Sequence, residues 1–140
     1  KPGGPLYKTS DESRFIMWLR QLMIWEDGDR LWYGRAVPKQ WLENQKDIRI
    51  ERAPTIFGTA GLVIHSESDS GRITATIRIP TRTPPKEVWL RLRHPADLKP
   101  TEVFVNDRPI APGNLLGQDI RLVPGIEDLS TPVEVTAVFR

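Results

Sequence analysis

A two-residue alternation of apolar and polar side chains recurs along the chain and predicts β-strands. Successive side chains of a strand point to opposite faces, so alternation places one set in a core and the other in solvent. The segment 72–79 shows it most clearly. The predicted inward residues are Ile73, Ala75, Ile77 and Ile79 in this segment, Val88, Leu90 and Leu92 in the next, and Val133, Val135, Ala137 and Phe139 near the end.

These alternating segments are short, and turn-forming residues separate them. "SDSG" at 68–71 predicts a hairpin between two strands, and the Asn-Asp pair at 106–107 predicts another. About eight or nine short strands with regular turn signals are typical of an antiparallel β-sandwich. We therefore predict a mainly β fold, an antiparallel β-sandwich preceded by one N-terminal α-helix. A chain of 140 residues can form one such domain.

The predicted helix covers residues 11–27 and has apolar residues on nearly all sides. Ser10 or Asp11 can cap its start, and Asp27-Gly28 ends it. One face can rest on the β domain, and a second face would need another neighbour. The residues of this second face of the helix are Met17, Met23 and Ile24. We expect that neighbour to be a helical domain outside this chain or a dimer mate, with 1–10 as a linker and 28–140 as the β-sandwich domain.

Composition excludes several classes of function. The 20 basic and 18 acidic residues leave a net charge of +2, which gives no electrostatic support for nucleic-acid binding. No apolar run approaches the roughly 20 residues of a membrane-spanning helix. The chain has no cysteine and therefore no disulfide or thiolate chemistry.

Candidate catalytic and metal-binding residues are sparse. The acidic residues fall mostly in turns or on outward strand positions, where nothing would raise their pKa. His65 and His94 are the two histidines, and their spacing matches no metal-binding motif. We predict no catalytic residue, no metal site and no cofactor.

Arginine and tryptophan residues occupy the outward strand positions. Cross-strand arginine–glutamate pairing over an exposed sheet is the simplest interpretation. A docking face for a second protein domain is another, because tryptophan and arginine are common anchors of interfaces. A sugar-binding platform built on tryptophan is the third. The candidate interdomain or ligand face comprises Trp41, Arg78, Trp89, Arg91 and Arg93.

The stretch 34–58 combines a Pro-led turn at 38–45 with an alternating strand. We expect the turn to place Trp41 and Leu42 over one end of the β domain. The motifs "GRAVPKQWL", "APTIFG" and "RLRHP…VFVND" resemble the C-terminal end of bacterial glycoside hydrolase-like proteins built on an (α/α)6 toroid. In those proteins a final helix of the toroid leads into a β-sandwich tail.

The resemblance covers most of residues 11–110 and implies that the catalytic acids would lie in the helical domain, outside this chain. It leads us to expect a non-catalytic C-terminal accessory domain of a larger carbohydrate-active enzyme, which stabilises or edges the catalytic domain. The alternative expectation is a free-standing carbohydrate-binding module that uses surface tryptophans. The partners expected are therefore the upstream helical domain or a dimer mate, and a carbohydrate, with neither nucleic acid nor membrane.

Overall fold

The computed structural model describes residue 20 and residues 22–140, and this part of the chain is mainly β. Its strands form two sheets. Sheet A has the order β1-β2-β6-β10-β9, with β1 (Ile24–Asp27), β2 (Arg30–Tyr33), β6 (Glu87–Arg91), β10 (Asp119–Val123) and β9 (Leu115–Leu116). Sheet B has the order β3-β4-β5-β11-β7-β8, with β3 (Asp47–Thr55), β4 (Gly58–Glu67), β5 (Arg72–Arg78), β11 (Val133–Phe139), β7 (Pro100–Val105) and β8 (Arg108–Pro109).

Every neighbouring pair in sheet B is antiparallel, and the alternation in its sequence matches its burial. The hairpin predicted at 68–71 joins β4 to β5, and the one predicted at 106–107 joins β7 to β8. The inward residues predicted on β5 and β11 are all buried. The prediction of these strand faces is confirmed.

Sheet A contains one parallel pair, β2 with β6, and its other pairs are antiparallel. Val88 and Leu90 on β6, and Leu92 just after it, are buried as predicted. Two strands of this sheet, β1 and β9, were not predicted from the sequence. β1 is an edge strand, and it pairs with β2 through a turn at Gly28.

Buried side chains from both sheets belong to one hydrophobic core cluster. Tyr33 on β2 is fully buried within it, and its hydroxyl donates a hydrogen bond of 2.6 Å to the carbonyl oxygen of Arg78 on β5. Burial raises the pKa of the Tyr33 phenol far above its ordinary value, so the hydroxyl keeps its proton and remains a donor. This bond joins sheet A to sheet B.

The predicted N-terminal helix requires a correction at its end. Arg20, Leu22 and Met23 have helical backbone, but Ile24–Asp27 is strand β1, so the predicted end at residue 27 is wrong. Met23 and Ile24 are buried in the core cluster of this chain and are not available to an external neighbour. Met17 and the rest of the helix lie outside the described residues.

The Pro-led turn forms a short 3-10 helix, Lys39–Leu42, with Pro38 at its start. Leu42 is buried and Trp41 is half-buried against the core cluster. The expected placement of these two side chains over the β domain is confirmed. The turn is held to sheet B because Ser66 on β4 donates its hydroxyl to the Leu42 carbonyl oxygen at 2.5 Å.

Candidate docking face

The side of sheet A opposite the core carries a row of three tryptophans and one arginine that runs across four strands. Trp25 on β1 pairs in register with Trp32 on β2, Trp32 with Trp89 on β6, and Trp89 with Arg121 on β10. We call these four residues the tryptophan row. Directly opposed side chains on neighbouring strands lie about 5 Å apart, close enough to contact.

Trp32 and Trp89 form a stacked pair at the centre of the row. Their ring centroids are 5.2 Å apart and their planes differ by 16°. The Arg35 guanidinium lies 4.8 Å from the Trp32 ring centroid, and that of Arg121 lies 5.8 Å from the Trp89 centroid. Both rings are only 8% exposed. Arginine side chains and the rings themselves therefore occupy surfaces that a sugar-binding platform would leave open.

Trp25 differs from these two rings because it is 46% exposed at the sheet edge. The indole Nε1 of Trp32 is buried and, among the residues that the structure describes, has no hydrogen-bond partner. A buried unsatisfied donor costs about 1–3 kcal/mol. The tryptophan row therefore contains one accessible ring, that of Trp25, and one buried N–H donor, that of Trp32, which lacks an acceptor within the described residues.

Ion pairs border the tryptophan row on both sides. Glu87 accepts a hydrogen bond of 2.9 Å from Trp89 Nε1, and its other oxygen lies 3.6 Å from Arg30 Nε. On the other side, Arg91 holds Asp119 with two bonds of 2.7 and 3.2 Å. Bidentate pairing fixes the guanidinium plane. Ion-paired side chains with fixed positions therefore border the tryptophan row.

The predicted face is divided between different places in the fold. Trp89 and Arg91 are neighbours on β6, whereas Arg78 belongs to β5 in the other sheet. Arg93 lines a cleft with Lys39 and His94, and Trp41 lines another beside β3. Of the five residues, the tryptophan row and its border include only Trp89 and Arg91.

Trp25, Trp32, Arg35 and Arg121 were missed by the sequence reasoning. Trp25 fell within the predicted helix, and nothing local to Trp32 reveals which strand lies beside it. A parallel pair between β2 and β6 is separated by more than fifty residues of chain. The outward position of Trp89 was the one sequence signal that pointed to this face. The sequence does not identify the aromatic residue that stacks on it.

The buried His94 ring has both nitrogens occupied by protein groups. Its Nε2 lies 3.0 Å from the Ser68 carbonyl oxygen, and its Nδ1 lies 3.0 Å from the Ala96 amide nitrogen. Because a carbonyl only accepts and an amide N–H only donates, this is the tautomer with the proton on Nε2. His94 is positioned as a structural link between the loop after β4 and the segment after β6.

His65 on β4 has a different environment, since it is exposed and hydrogen-bonded to Asp47 on β3. This hydrogen bond to Asp47, assisted by the charges of Asp47 and Glu67, raises the pKa of His65 above its ordinary value of 6.5. A raised folded-state pKa means that the stabilisation is full below the unfolded pKa. It is lost as the pH rises through the folded pKa.

We expect Asp47→Asn to lower the pKa of His65 toward 6.5, because the variant removes the charged acceptor. The His65 ring resonance followed by NMR across neutral pH measures this directly. High salt should shrink the difference, since the pair is exposed. An equal His65 pKa in the two proteins would contradict the assignment of the shift to Asp47.

Within residue 20 and residues 22–140, no cluster of histidine and carboxylate side chains suited to a metal ion occurs, and no helix has the length and apolarity to cross a membrane. All described aspartate and glutamate residues are at least partly exposed. No protein-family model matches the sequence, and no curated protein sequence matches it.

Proposed function

We propose that this chain is a non-catalytic accessory β-sandwich domain of a larger carbohydrate-active, glycoside hydrolase-like enzyme. The tryptophan row would pack against the helical catalytic domain. The observation that carries the proposal is that row, because it ends in the exposed Trp25 on an edge strand. β1 is the first described strand and lies at the edge of sheet A, so a domain joined ahead of it would be connected at this edge, next to Trp25.

The sandwich part of the proposal rests on the connections between the sheets. Both contribute to one core cluster, and the Tyr33–Arg78 hydrogen bond crosses between them. A second link starts at Glu26 on β1, which pairs with Arg20 at 2.5 Å and accepts a bond from the Ile56 amide at 3.4 Å. Two sheets that share a core in this way favour face-to-face packing.

Docking to protein fits the tryptophan row better than sugar binding does. A sugar platform needs ring faces open to solvent, and Trp32 and Trp89 are stacked on each other and nearly buried. A protein interface, in contrast, can be anchored by one exposed tryptophan with charged residues around it. Trp25, which is 46% exposed, is the ring of the row that is open to a partner domain.

The isolated 140-residue chain is expected to associate weakly with itself through the exposed Trp25, because an apolar ring without its partner favours association. Trp25→Ser should reduce the association, as measured by sedimentation velocity over a range of protein concentrations. The matched control is Leu116→Ser, which removes a side chain of similar exposure, 53%, from the other edge of sheet A. Equal association of the wild type and both variants would contradict a role for Trp25.

The same variants test the carbohydrate-binding alternative, which the exposure of Trp25 favours. Tryptophan fluorescence is recorded while neutral oligosaccharides are added to about 1 mM, the range of weak binding. The accessory-domain proposal predicts no change in emission. A saturable shift in the wild type that Trp25→Ser abolishes would instead support a carbohydrate-binding module.

A further inference from the structure

Three arginines line a groove that begins on the outer face of sheet B and continues to the loop after β5. Arg52 lies in the β-bulge of β3, Arg78 on β5, and Arg82 in the loop that follows. Gly61 on β4 pairs in register with Arg78, and the bulge lies opposite Gly61 on the other side. Two cavities of about 430 and 340 Å³ meet at Arg78 and Pro132.

Part of the floor of the groove is formed by Gly61, a glycine at an outward position of β4. A Cβ atom at Gly61 would lie 3.4 Å from the Arg78 Cβ and 3.9 Å from the Arg52 amide nitrogen. A longer side chain at this position would occupy the space between Arg52 and Arg78.

Arg52 has an unusual backbone conformation, with a φ of 57°. A residue other than glycine in this left-handed region costs about 1–2 kcal/mol. β-bulges re-aim side chains away from the regular alternation of a strand. The bulge brings Arg52 into the lining of the groove.

The charge of the groove is not neutralised by the part of the chain that the structure describes. Among residue 20 and residues 22–140, none of the three arginines has a carboxylate within ion-pair distance, although Arg30, Arg91 and Arg140 each have one. The carboxylate that lines the groove, Glu51, is already paired with Arg49 at 2.8 Å. Hydroxyl groups line the walls, from Thr55, Thr59, Thr76, Thr81, Ser130 and Thr131.

We propose that this groove binds an acidic oligosaccharide, whose carboxylate or sulfate groups pair with Arg52, Arg78 and Arg82. Guanidinium groups match both anions with two parallel hydrogen bonds. The threonine and serine hydroxyls can exchange hydrogen bonds with sugar hydroxyls. Among the described residues that line the groove, none is an aromatic ring on which nucleic-acid bases could stack. That the ligand is a sugar rests on the proposed function, while the anionic character rests on the arginines.

Isothermal titration calorimetry of the 140-residue chain at low salt tests the proposal with four probes. They are an oligouronide, a sulfated oligosaccharide, a neutral oligosaccharide of the same length, and poly-glutamate. We expect an anionic sugar to bind and the neutral sugar not to bind. The first two probes distinguish carboxylate from sulfate recognition.

Three variants locate the binding. Arg78→Gln with Arg82→Gln should weaken it by about tenfold or more, the usual effect of losing charged hydrogen bonds. Arg72→Gln is the matched control, because Arg72 is also an exposed arginine on the same strand and does not line the groove. Gly61→Leu keeps the charges but fills the floor, so it should also weaken binding.

Equal affinity of the Arg78/Arg82 double variant and Arg72→Gln would overturn the proposal, as would no binding of either anionic sugar. Poly-glutamate bound as tightly as the best sugar would also overturn it, in favour of an acidic protein segment. These failures leave the accessory-domain proposal standing, because that rests on sheet A. The Trp25→Ser experiment probes sheet A, so a negative result there would not change the binding measured at the groove.

Discussion

Replacing Gly34 by alanine is expected to destabilise the protein by about 3 kcal/mol or more, since a left-handed backbone alone costs 1–2 kcal/mol and a steric clash adds to it. Gly34 has a φ of 72°, and an added Cβ would lie 2.5 Å from the backbone oxygen of Arg91. Neither strand can move away freely, because Gly34 also donates its amide to the Met23 carbonyl oxygen at 2.6 Å.

Gly28→Ala provides the matched control for this prediction. Gly28 has a similar φ of 61°, but an added Cβ there would meet no atom of the described residues within 4 Å apart from its chain neighbours. It should therefore cost only the 1–2 kcal/mol of the backbone conformation. Urea unfolding followed by tryptophan fluorescence measures both free energies. Equal costs at the two positions would show that β2 does not approach Arg91 as closely as described.

The substitution Leu90→Ala has the second large expected effect, a loss of about 2–5 kcal/mol. Leu90 is fully buried on β6, the central strand of sheet A, opposite Ile120 on one side and Tyr33 on the other. Removing its branched end leaves a cavity at a fully buried position. A domain of this size has about 5–15 kcal/mol of stability in all, so the loss is a large fraction.

Leu116→Ala removes the same atoms from the edge of sheet A, where the side chain is 53% exposed. It should change the free energy of unfolding by less than about 0.5 kcal/mol. Thermal and urea unfolding of both variants give the comparison. Similar losses in the two would mean that Leu90 does not lie in the shared core.

The strand faces could be predicted because alternation is local. Ile73 and Val135 lie far apart in the sequence, yet each is in a segment whose pattern alone predicts its inward direction. The same pattern placed Trp89 on the face away from the core. What it could not predict is pairing between distant strands, so the stacking of Trp32 on Trp89 was not anticipated.

The region around Ile24 shows why the helix end was wrong. Its apolar residues fit a helix buried on several sides, and no turn signal precedes Asp27-Gly28. In the structure Ile24–Asp27 instead pairs with Arg30–Tyr33, and the backbone hydrogen bonds of that pairing override the local helical preference. An edge strand of four residues carries too little alternation to be distinguished from a helix.

The candidate face was predicted as one surface because outward arginines look alike in sequence. Arg78 and Arg91 occupy equivalent positions in their strands, but the strands belong to different sheets. Arg91 is held by Asp119, whereas Arg78 borders the open groove beside Gly61. Assigning strands to sheets requires long-range contacts, which a single sequence does not contain.

The size of the native polypeptide is the measurement that tests the proposed role most directly. An antibody raised against the 140-residue chain detects the protein in the source cells and in their secreted fraction, and mass spectrometry identifies the peptides in the band. We predict a band several times larger than 16.0 kDa, with peptides from a helical domain joined ahead of this one. A single band at 16 kDa would contradict the proposal that this is an accessory domain.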